Sequence, residues 1–330
     1  MKFLKSLFLI FCLLVPCFLK AEEVSPPTAS APQNEPAANK IYSNPINNFI
    51  KNFASASEPS RFFFAPTSSI LKSLEVMITT GGFFGVEEDK VLFSQLTVGL
   101  GNIAEVEFST SNISNRLTGE ASAIPTSVFK VALIPQRFTQ HWYIPQMALQ
   151  LRSTSWRPLA KESSQLLSEN QASYDNQRLN HLRVNSRFTT LYYVVGKDFP
   201  FGGFHCGVSL SDIRTQSGHQ VLYDEALYSY IPITIPELKK QILAPFGGLY
   251  FRATEDTWLM AEVEPIPRYG YDVKSRIVSI QQAWLGIGGI RFYIGKWLSL
   301  DTGVKYQSDF DGIADAEINI GFNLLMPLKK

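Results

Sequence analysis

The stretch that decides the fold is APFGGLYFRATEDTWLMAEVEP, residues 244–265. Side chains after the turn-like ATED alternate between an apolar face and a face with two carboxylates, namely Leu259, Ala261 and Val263 against Glu262 and Glu264. Successive side chains of a β-strand point to opposite faces of a sheet, so this period of two predicts a strand. Before ATED, aromatic side chains occur on both faces. The stretch therefore predicts two adjacent strands joined by a tight turn.

Length and composition are those of a folded chain. The sequence has 330 residues, a net charge of +1, 45% hydrophobic residues and 13% aromatic residues. This hydrophobic content excludes an intrinsically disordered chain. The near-zero charge gives no general attraction to nucleic acid, so nucleic acid is not predicted as a partner. The length allows one large β-domain as easily as two smaller ones.

The first 21 residues have the pattern of a secretory signal peptide. Lys2 and Lys5 precede an apolar run over 6–19, and Ala21 is a small residue at the expected cleavage point. A membrane anchor helix is the alternative, but the run is shorter than the roughly 18–20 apolar residues that a span needs. Cleavage would leave Cys206 as the single cysteine, so we predict no internal disulfide.

The rest of the chain divides into a leader and one domain. Residues 22–68 are rich in Pro, Ala, Ser and Asn and are predicted to form a flexible leader, followed by a domain over 69–330. Helical periodicity in that domain is limited to 159–179 and 237–242. About twelve segments have strand-like patterns: 70–80, 91–100, 103–110, 127–134, 144–152, 184–197, 203–211, 243–252, 257–264, 279–293, 297–306 and 312–325.

The connections between these segments nearly alternate in length. The short connections GN, DFPFG, ATED and GKW are interleaved with long ones over 111–126, 153–183, 212–242 and 265–278. Outer-membrane β-barrels have this pattern, with tight periplasmic turns, longer outer loops and an even number of strands. Beyond the signal no apolar run is long enough for a transmembrane helix, so this chain would cross a membrane as a closed sheet.

A soluble antiparallel sandwich would produce the same alternation of faces. Three features favour the membrane barrel. The segments 184–197 and 279–293 reach or exceed the ~9–11 residues that a tilted strand needs to cross, and the connections alternate in length. Aromatic residues also lie near segment ends, where interfacial belts form: Trp142, Tyr143, Trp258, Tyr293, Trp297 and Tyr306.

We therefore predict an all-β fold, a single antiparallel transmembrane β-barrel of about twelve strands in the outer membrane of a Gram-negative cell. Apolar side chains would face lipid and polar ones the lumen, because a charge against acyl chains costs on the order of several kcal/mol. In 184–197 this rule assigns Tyr192 and Val194 to the lipid face and Arg187 to the lumen. The charged lumen candidates are Glu105, Glu107, Arg152, Arg187, Glu262, Glu264, Arg291, Lys305, Asp315 and Glu317.

Four stretches also resemble, in order, the repeating elements of a known family: LGNIAEVEFSTSN (100–112), PQMALQLRST (145–154), LYYVVGKDF (191–199) and 244–264. They are similar to the YjbH-like proteins, outer-membrane β-barrel proteins associated with exopolysaccharide production. The residues that match the family's patterns are Pro145, Met147, Ala148, Tyr193, Val195, Lys197, Phe246, Gly247, Gly248 and Glu262. The resemblance implies an envelope barrel that takes part in the export or anchoring of a polysaccharide.

No set of residues in the sequence points to catalysis, a metal or a cofactor. The four histidines lack metal-ligand spacing, and GIGGI (286–290) lies in a strand pattern without a following helix. We predict a non-enzymatic role, as a passive pore or as an envelope component for polysaccharide export or anchoring. The predicted partners are outer-membrane lipids, with polysaccharide or small solutes as candidates. Two alternatives stay open: an outer-membrane lipid-modifying hydrolase that uses His205, and a soluble secreted β-sandwich that binds a ligand.

Overall fold

The structure is a computed structural model. It describes residues 60–85, 91–110, 125–139, 143–154, 157–159, 184–216, 218–224, 229–235, 237–272, 277–295, 297–308, 310 and 312–328. The predicted signal peptide, most of the predicted leader and the helix candidate over 159–179 lie outside these residues, apart from Leu159.

Twelve strands form one closed antiparallel barrel. Each strand pairs with the next along the chain, and the last pairs with the first. The strands are β1 (Glu75–Phe84), β2 (Val91–Leu100), β3 (Ala104–Ser109), β4 (Thr126–Ala132), β5 (Gln146–Thr154), β6 (Val184–Phe199), β7 (Gly202–Thr215), β8 (Lys239–Arg252), β9 (Thr257–Asp272), β10 (Ile277–Tyr293), β11 (Leu298–Gln307) and β12 (Glu317–Pro327). The predicted fold, a single twelve-stranded antiparallel barrel, is confirmed, and the sandwich alternative is wrong.

The described residues contain three further strands outside the ring of twelve. Arg157–Leu159 pairs with the start of β6, beyond the end of β5. Gly218–Asp224 and Ser229–Ile235 form a separate two-stranded hairpin in the connection between β7 and β8. Among the described residues, helix is limited to the α-helical turn Gln136–Thr139 and the 3₁₀ turn Ile313–Asp315. No described helix is long and apolar enough to span a membrane.

The helix candidate over 237–242 is wrong, because β8 already begins at Lys239. Its residues pair with β7 from Lys239↔Arg214 onwards. The extension has a physical cause: β7 is itself 14 residues long and offers a free edge for pairing. Strands β6 to β10, with 14 to 17 residues each, are therefore longer than the rest of the wall.

The two faces of the wall differ in polarity as the sequence predicts. Outward positions carry exposed apolar side chains, for example Phe108, Val208 and Leu259. Inward positions carry buried polar or charged side chains, for example Gln150 and Glu262. Such a pattern keeps hydrocarbon outside the barrel and hydrogen-bonding groups inside it.

Strand β6 has the opposite orientation from the one predicted. Tyr192 and Val194 are buried on the inner face, whereas Leu191 and Tyr193 are exposed on the outer face. Arg187 shares the outer face and is exposed, so its assignment to the lumen is wrong. Apolar residues occur on both faces of this strand, and Arg187 lies near its long-loop end. A charge at that level is close to water and does not determine the face.

The aromatic belt is also only partly as predicted. Tyr143, Trp297 and Tyr306 are exposed on the outer surface. Trp258 and Tyr293 instead point inward, with ring centroids 4.9 Å apart, and they line the lumen at the end of the tight turns. Trp142 lies outside the described residues.

One seam of the barrel is incompletely paired. Strands β8 and β9 have 14 and 16 residues, but they pair only from Arg252↔Trp258 to Gly247↔Val263. The next hydrogen-bonding position in this register would join Pro245 to Pro265. Proline has no N–H, so neither strand can donate there and the ladder stops.

Candidate functional site: a plug inside the barrel

A segment of the chain fills part of the lumen. We call this segment, Ser60–Ile70, the plug; most of its residues are buried. It reverses direction through the hydrogen bonds from Phe62 N to Ala65 O (3.1 Å) and from Thr67 N to Ser60 O (3.2 Å). The prediction that residues 60–68 belong to a flexible leader is therefore wrong for these nine positions. Their apolar run Phe62–Ala65 packs against the wall, which a composition rich in Ser and Pro does not reveal.

Aromatic rings anchor the plug between opposite sides of the wall. The ring of Phe64 lies 5.2 Å from that of Phe83 and 5.3 Å from that of Phe93. The ring of Phe62 packs edge-on to His205, with 5.5 Å between centroids. Gly248 makes this possible, since a Cβ at this position would lie 2.6 Å from the Phe62 ring. The glycine in the deciding stretch thus provides space for the plug.

Glu262 binds the tip of the plug. Its carboxylate accepts hydrogen bonds from the backbone N–H groups of Phe63 (3.0 Å), Phe64 (3.1 Å) and Ala65 (3.1 Å). Consecutive backbone N–H groups that point at one anion form a nest. The buried carboxylate obtains hydrogen bonds that replace water, and charge-assisted bonds are stronger than neutral ones.

Cationic side chains bind the carbonyl groups of the plug. Arg291 donates to Phe62 O (2.8 Å) and forms a two-bond pair with Asp301 at 2.6 and 2.8 Å. Lys130 donates to Ser60 O (2.8 Å) and to Ser69 O (2.5 Å). A third cation, Arg152, donates to Phe64 O at 3.2 Å. The wall therefore recognises the plug mainly through its backbone, by anions at N–H groups and cations at carbonyls.

The plug also contributes a charge of its own. Arg61 pairs with Glu107 at 2.7 Å and donates to the hydroxyl of Thr79. Just beyond the plug, the N–H of Leu71 donates to Glu105 at 3.0 Å. Glu105 in turn lies 3.4 Å from Lys130. Buried charges in this part of the lumen are thus paired with an opposite charge, as their removal from water requires.

His205 binds the part of the plug that follows its reversal, at Ser68. Nδ1 of this ring accepts the N–H of Ser68 (3.1 Å) and lies 2.8 Å from its Oγ, while Nε2 lies 3.1 Å from Asp198 Oδ1. The order Ser–His–Asp has the form of a catalytic triad. However, the adjoining cavity has a volume of only about 20 Å³, which suits a single water molecule. In this closed arrangement His205, supported by Asp198, holds Ser68 of the plug.

The structure places eight of the ten predicted lumen residues on the inner face. Six of them touch the plug or a charged partner of the plug: Glu105, Glu107, Arg152, Glu262, Glu264 and Arg291. Glu264 accepts from Arg152 (3.2 Å) and from the Tyr192 hydroxyl. Lys305 and Glu317 pair with each other at 2.7 Å, and Lys305 Nζ lies 4.2 Å from the ring of Phe83 on the wall.

The remaining two candidates lie elsewhere, and several residues at the site were not predicted. Arg187 is on the outer face, as described above, and Asp315 belongs to the 3₁₀ turn before β12, where its carboxylate accepts from Gly312 N. Lys130, Asp301 and Asp198 were not among the predicted lumen candidates. Strand parity assigns Asp301 to the same face as Lys305, and it assigns Lys130 to the same face as inward-facing Val128. Asp198 lies near a turn, where parity gives no signal.

No group of three or more metal-ligating side chains occurs among the residues that the structure describes. Cys206, the free cysteine of this region, is exposed on the outer face of β7. The contacts of the lumen are ion pairs, hydrogen bonds and ring contacts. They can hold or release a peptide segment without any covalent bond being made or broken.

Comparison with known proteins gives similarity of fold. No protein-family model and no curated protein matches the sequence. Among solved structures, the NanC porin has a TM-score of 0.40 at 9% identity over 77% of this chain and 100% of its own. An outer-membrane channel from Pseudomonas putida F1 has 0.37 at 9%, over 82% and 100%. The translocator domain of autotransporter NalP from Neisseria meningitidis has 0.35 at 11%, over 77% and 88%.

The chain is thus a β-barrel of the outer-membrane type. This statement rests on its own closed sheet, its apolar outer surface and its charged lumen. The particular feature of this barrel is that its own residues 60–70 occupy the lumen near the tight turns.

Proposed function

We propose that this protein is a non-enzymatic outer-membrane channel that its own plug keeps closed. The supporting observation is the set of charged wall residues that bind the plug backbone. If the plug left, Glu262, Arg291, Lys130 and Arg152 would line the lumen.

The choice of side chains favours a plug that moves. A barrel interior that is always filled could be packed with apolar side chains, which are often at least as stabilising as buried ion pairs. Charged groups have a second use, because water can solvate them once the plug is displaced. A lumen that alternates between peptide and water therefore suits a wall of this chemistry.

The class of solute follows from the lumen and from the resemblance to YjbH-like proteins. Cations and carboxylates alternate around the lumen, which argues against strong selection for one sign of ion. Such groups, together with amides, donate and accept hydrogen bonds from sugar hydroxyls. We infer that neutral polar solutes, and sugar chains in particular, pass or are held when the plug is displaced, in polysaccharide export or anchoring.

Deletion of residues 60–68 tests the proposal. We expect the wild type to give little swelling of liposomes in solutions of small sugars and the deletion variant to give rapid swelling, because the lumen loses its peptide filling. A deletion of equal length at residues 25–33 is the control and should behave as the wild type. Equal, slow swelling of the folded deletion variant would contradict the channel function.

A further inference from the structure

We propose that the seam between β8 and β9 is a lateral opening from the lumen wall to the outer leaflet, and that it admits the acyl chain of a lipid-like molecule. This inference does not depend on whether the plug moves. Its basis is the interrupted hydrogen-bond ladder above Gly247↔Val263.

Three prolines face the seam from both sides. Arg252 donates its N–H to Phe201 of the β6–β7 turn, so the N–H groups of odd-numbered β8 residues point toward β9. Ala253 accordingly donates to Thr257, and odd-numbered β9 residues point back toward β8. The nitrogens of Pro245, Pro265 and Pro267 are therefore directed at the seam.

The three prolines lower the free-energy cost of an unpaired strand edge in a membrane. Unpaired backbone N–H groups in hydrocarbon are costly, which is why spanning sheets are normally closed. Proline removes the donor altogether, so an edge that carries Pro245, Pro265 and Pro267 has fewer groups to satisfy. Both neighbouring ladders remain paired at these levels, β8 with β7 and β9 with β10. The interruption is thus confined to one seam.

The seam lies at the level of the acyl chains. Strand β8 ends at Arg252, by the tight turn, and a tilted strand crosses the bilayer in roughly 9–11 residues. The ladder stops at Gly247, about halfway, and the unpaired part continues toward the long-loop end. On the outer surface beside it, Leu243 is 69% exposed. The molecules that face the opening are therefore lipids of the outer leaflet.

The inner side of the seam suits an acyl chain with a polar head. Phe246 and Ile266 flank it on the inner face, and Ala283 and Leu285 follow on β10, all of them apolar and buried. Glu264 lies at the end of the seam where the paired ladder stops. This residue is 2% exposed, and its Oε2 atom has no hydrogen-bond partner among the described residues. A carboxylate oxygen of this kind accepts a hydroxyl or amide donor. The ligand class is thus an acyl-chain amphiphile whose head donates hydrogen bonds, as an acylated sugar does.

A photoreactive acyl glucoside with a diazirine in its chain tests the inference in bilayers. With the wild type we expect adducts on inward-facing residues beside the seam, at Phe246 and Ile266, as well as on lipid-facing Val208 and Leu210. The double variant Pro245→Val and Pro265→Val restores two ladder donors and should close the seam. Inner adducts should then fall by about tenfold or more, with the outer adducts unchanged.

A reversible closure guards against a folding defect. In a Cys206→Ser background, Pro245→Cys with Pro265→Cys should lose the inner adducts when oxidised and regain them when reduced. Adducts confined to Val208 and Leu210 in the wild type would overturn the inference. So would inner adducts that persist undiminished in the oxidised, cross-linked protein.

Discussion

Replacement of Glu262 by glutamine is expected to raise the open probability of the barrel in planar bilayers by about 100-fold. The carboxylate accepts three backbone N–H groups from the plug tip. A glutamine side chain has one oxygen that accepts hydrogen bonds and one NH₂ group that does not. The NH₂ group would therefore face backbone N–H groups of the plug without accepting a hydrogen bond from them. The expected loss is about 3 kcal/mol of plug binding, from charged hydrogen bonds worth roughly 1.5–3 kcal/mol each, and this corresponds to about 100-fold in the equilibrium.

The matched control is Glu317→Gln. Glu317 is another inward carboxylate, but its contact is with Lys305 on the neighbouring strand and not with the plug. We expect the conductance of the Glu317→Gln variant to remain that of the wild type. Equal conductance of Glu262→Gln and Glu317→Gln would show that the nest does not hold the plug.

The second large effect is expected for Arg291→Met. Arg291 is 2% exposed and binds both oxygens of Asp301 together with the carbonyl of Phe62. Its removal leaves a buried carboxylate without its cation, so the free energy of unfolding should fall by about 3–5 kcal/mol. Urea unfolding in detergent micelles, followed by tryptophan fluorescence, measures this loss.

Two further variants separate the ion pair from general damage. In Arg291→Met with Asp301→Leu the stranded charge is gone, so much of the stability should return. Arg214→Met removes an exposed partner of Asp212 and should cost no more than about 1 kcal/mol. Single and double variants of equal stability would contradict the assignment of Arg291–Asp301 as a coupled buried pair.

The barrel itself could be predicted because its signal is repeated in most of the strands. Glu262 and Glu264 fix the face of β9 without ambiguity, since a carboxylate at mid-membrane level is excluded from lipid. The tight turns mark the strand ends on one side. These rules act locally, so a single sequence is enough to apply them.

The plug could not be predicted, because its binding depends on groups far away in the sequence. Phe63 and Glu262, for example, are 199 positions apart. The backbone N–H groups that bind Glu262 exist at every non-proline residue and leave no mark in the sequence. The three consecutive phenylalanines at 62–64 were the available signal, and a rule that looks for strands does not use it.

An apolar cluster inside the barrel, which includes the plug phenylalanines, explains the wrong orientation of β6, because Tyr192 and Val194 belong to it. Tyr192 packs edge-on against Phe246 with 5.2 Å between ring centroids, and its hydroxyl contacts Glu264. A lumen that contains apolar peptide accepts aromatic residues on its inner wall. The rule that apolar residues face lipid therefore fails where inward side chains pack into the apolar cluster of the lumen.

The most direct test of the account is the accessibility of position 64 in the membrane. In a Cys206→Ser background, a cysteine in place of Phe64 should not react with a membrane-impermeant maleimide, because Phe64 is 2% exposed inside the barrel. A cysteine in place of Glu255, in the exposed β8–β9 turn, gives the rate for an open position. We predict a rate at position 64 that is lower by about 100-fold or more and that rises when Glu262→Gln is added. Equal labelling of positions 64 and 255 in the folded barrel would contradict the account.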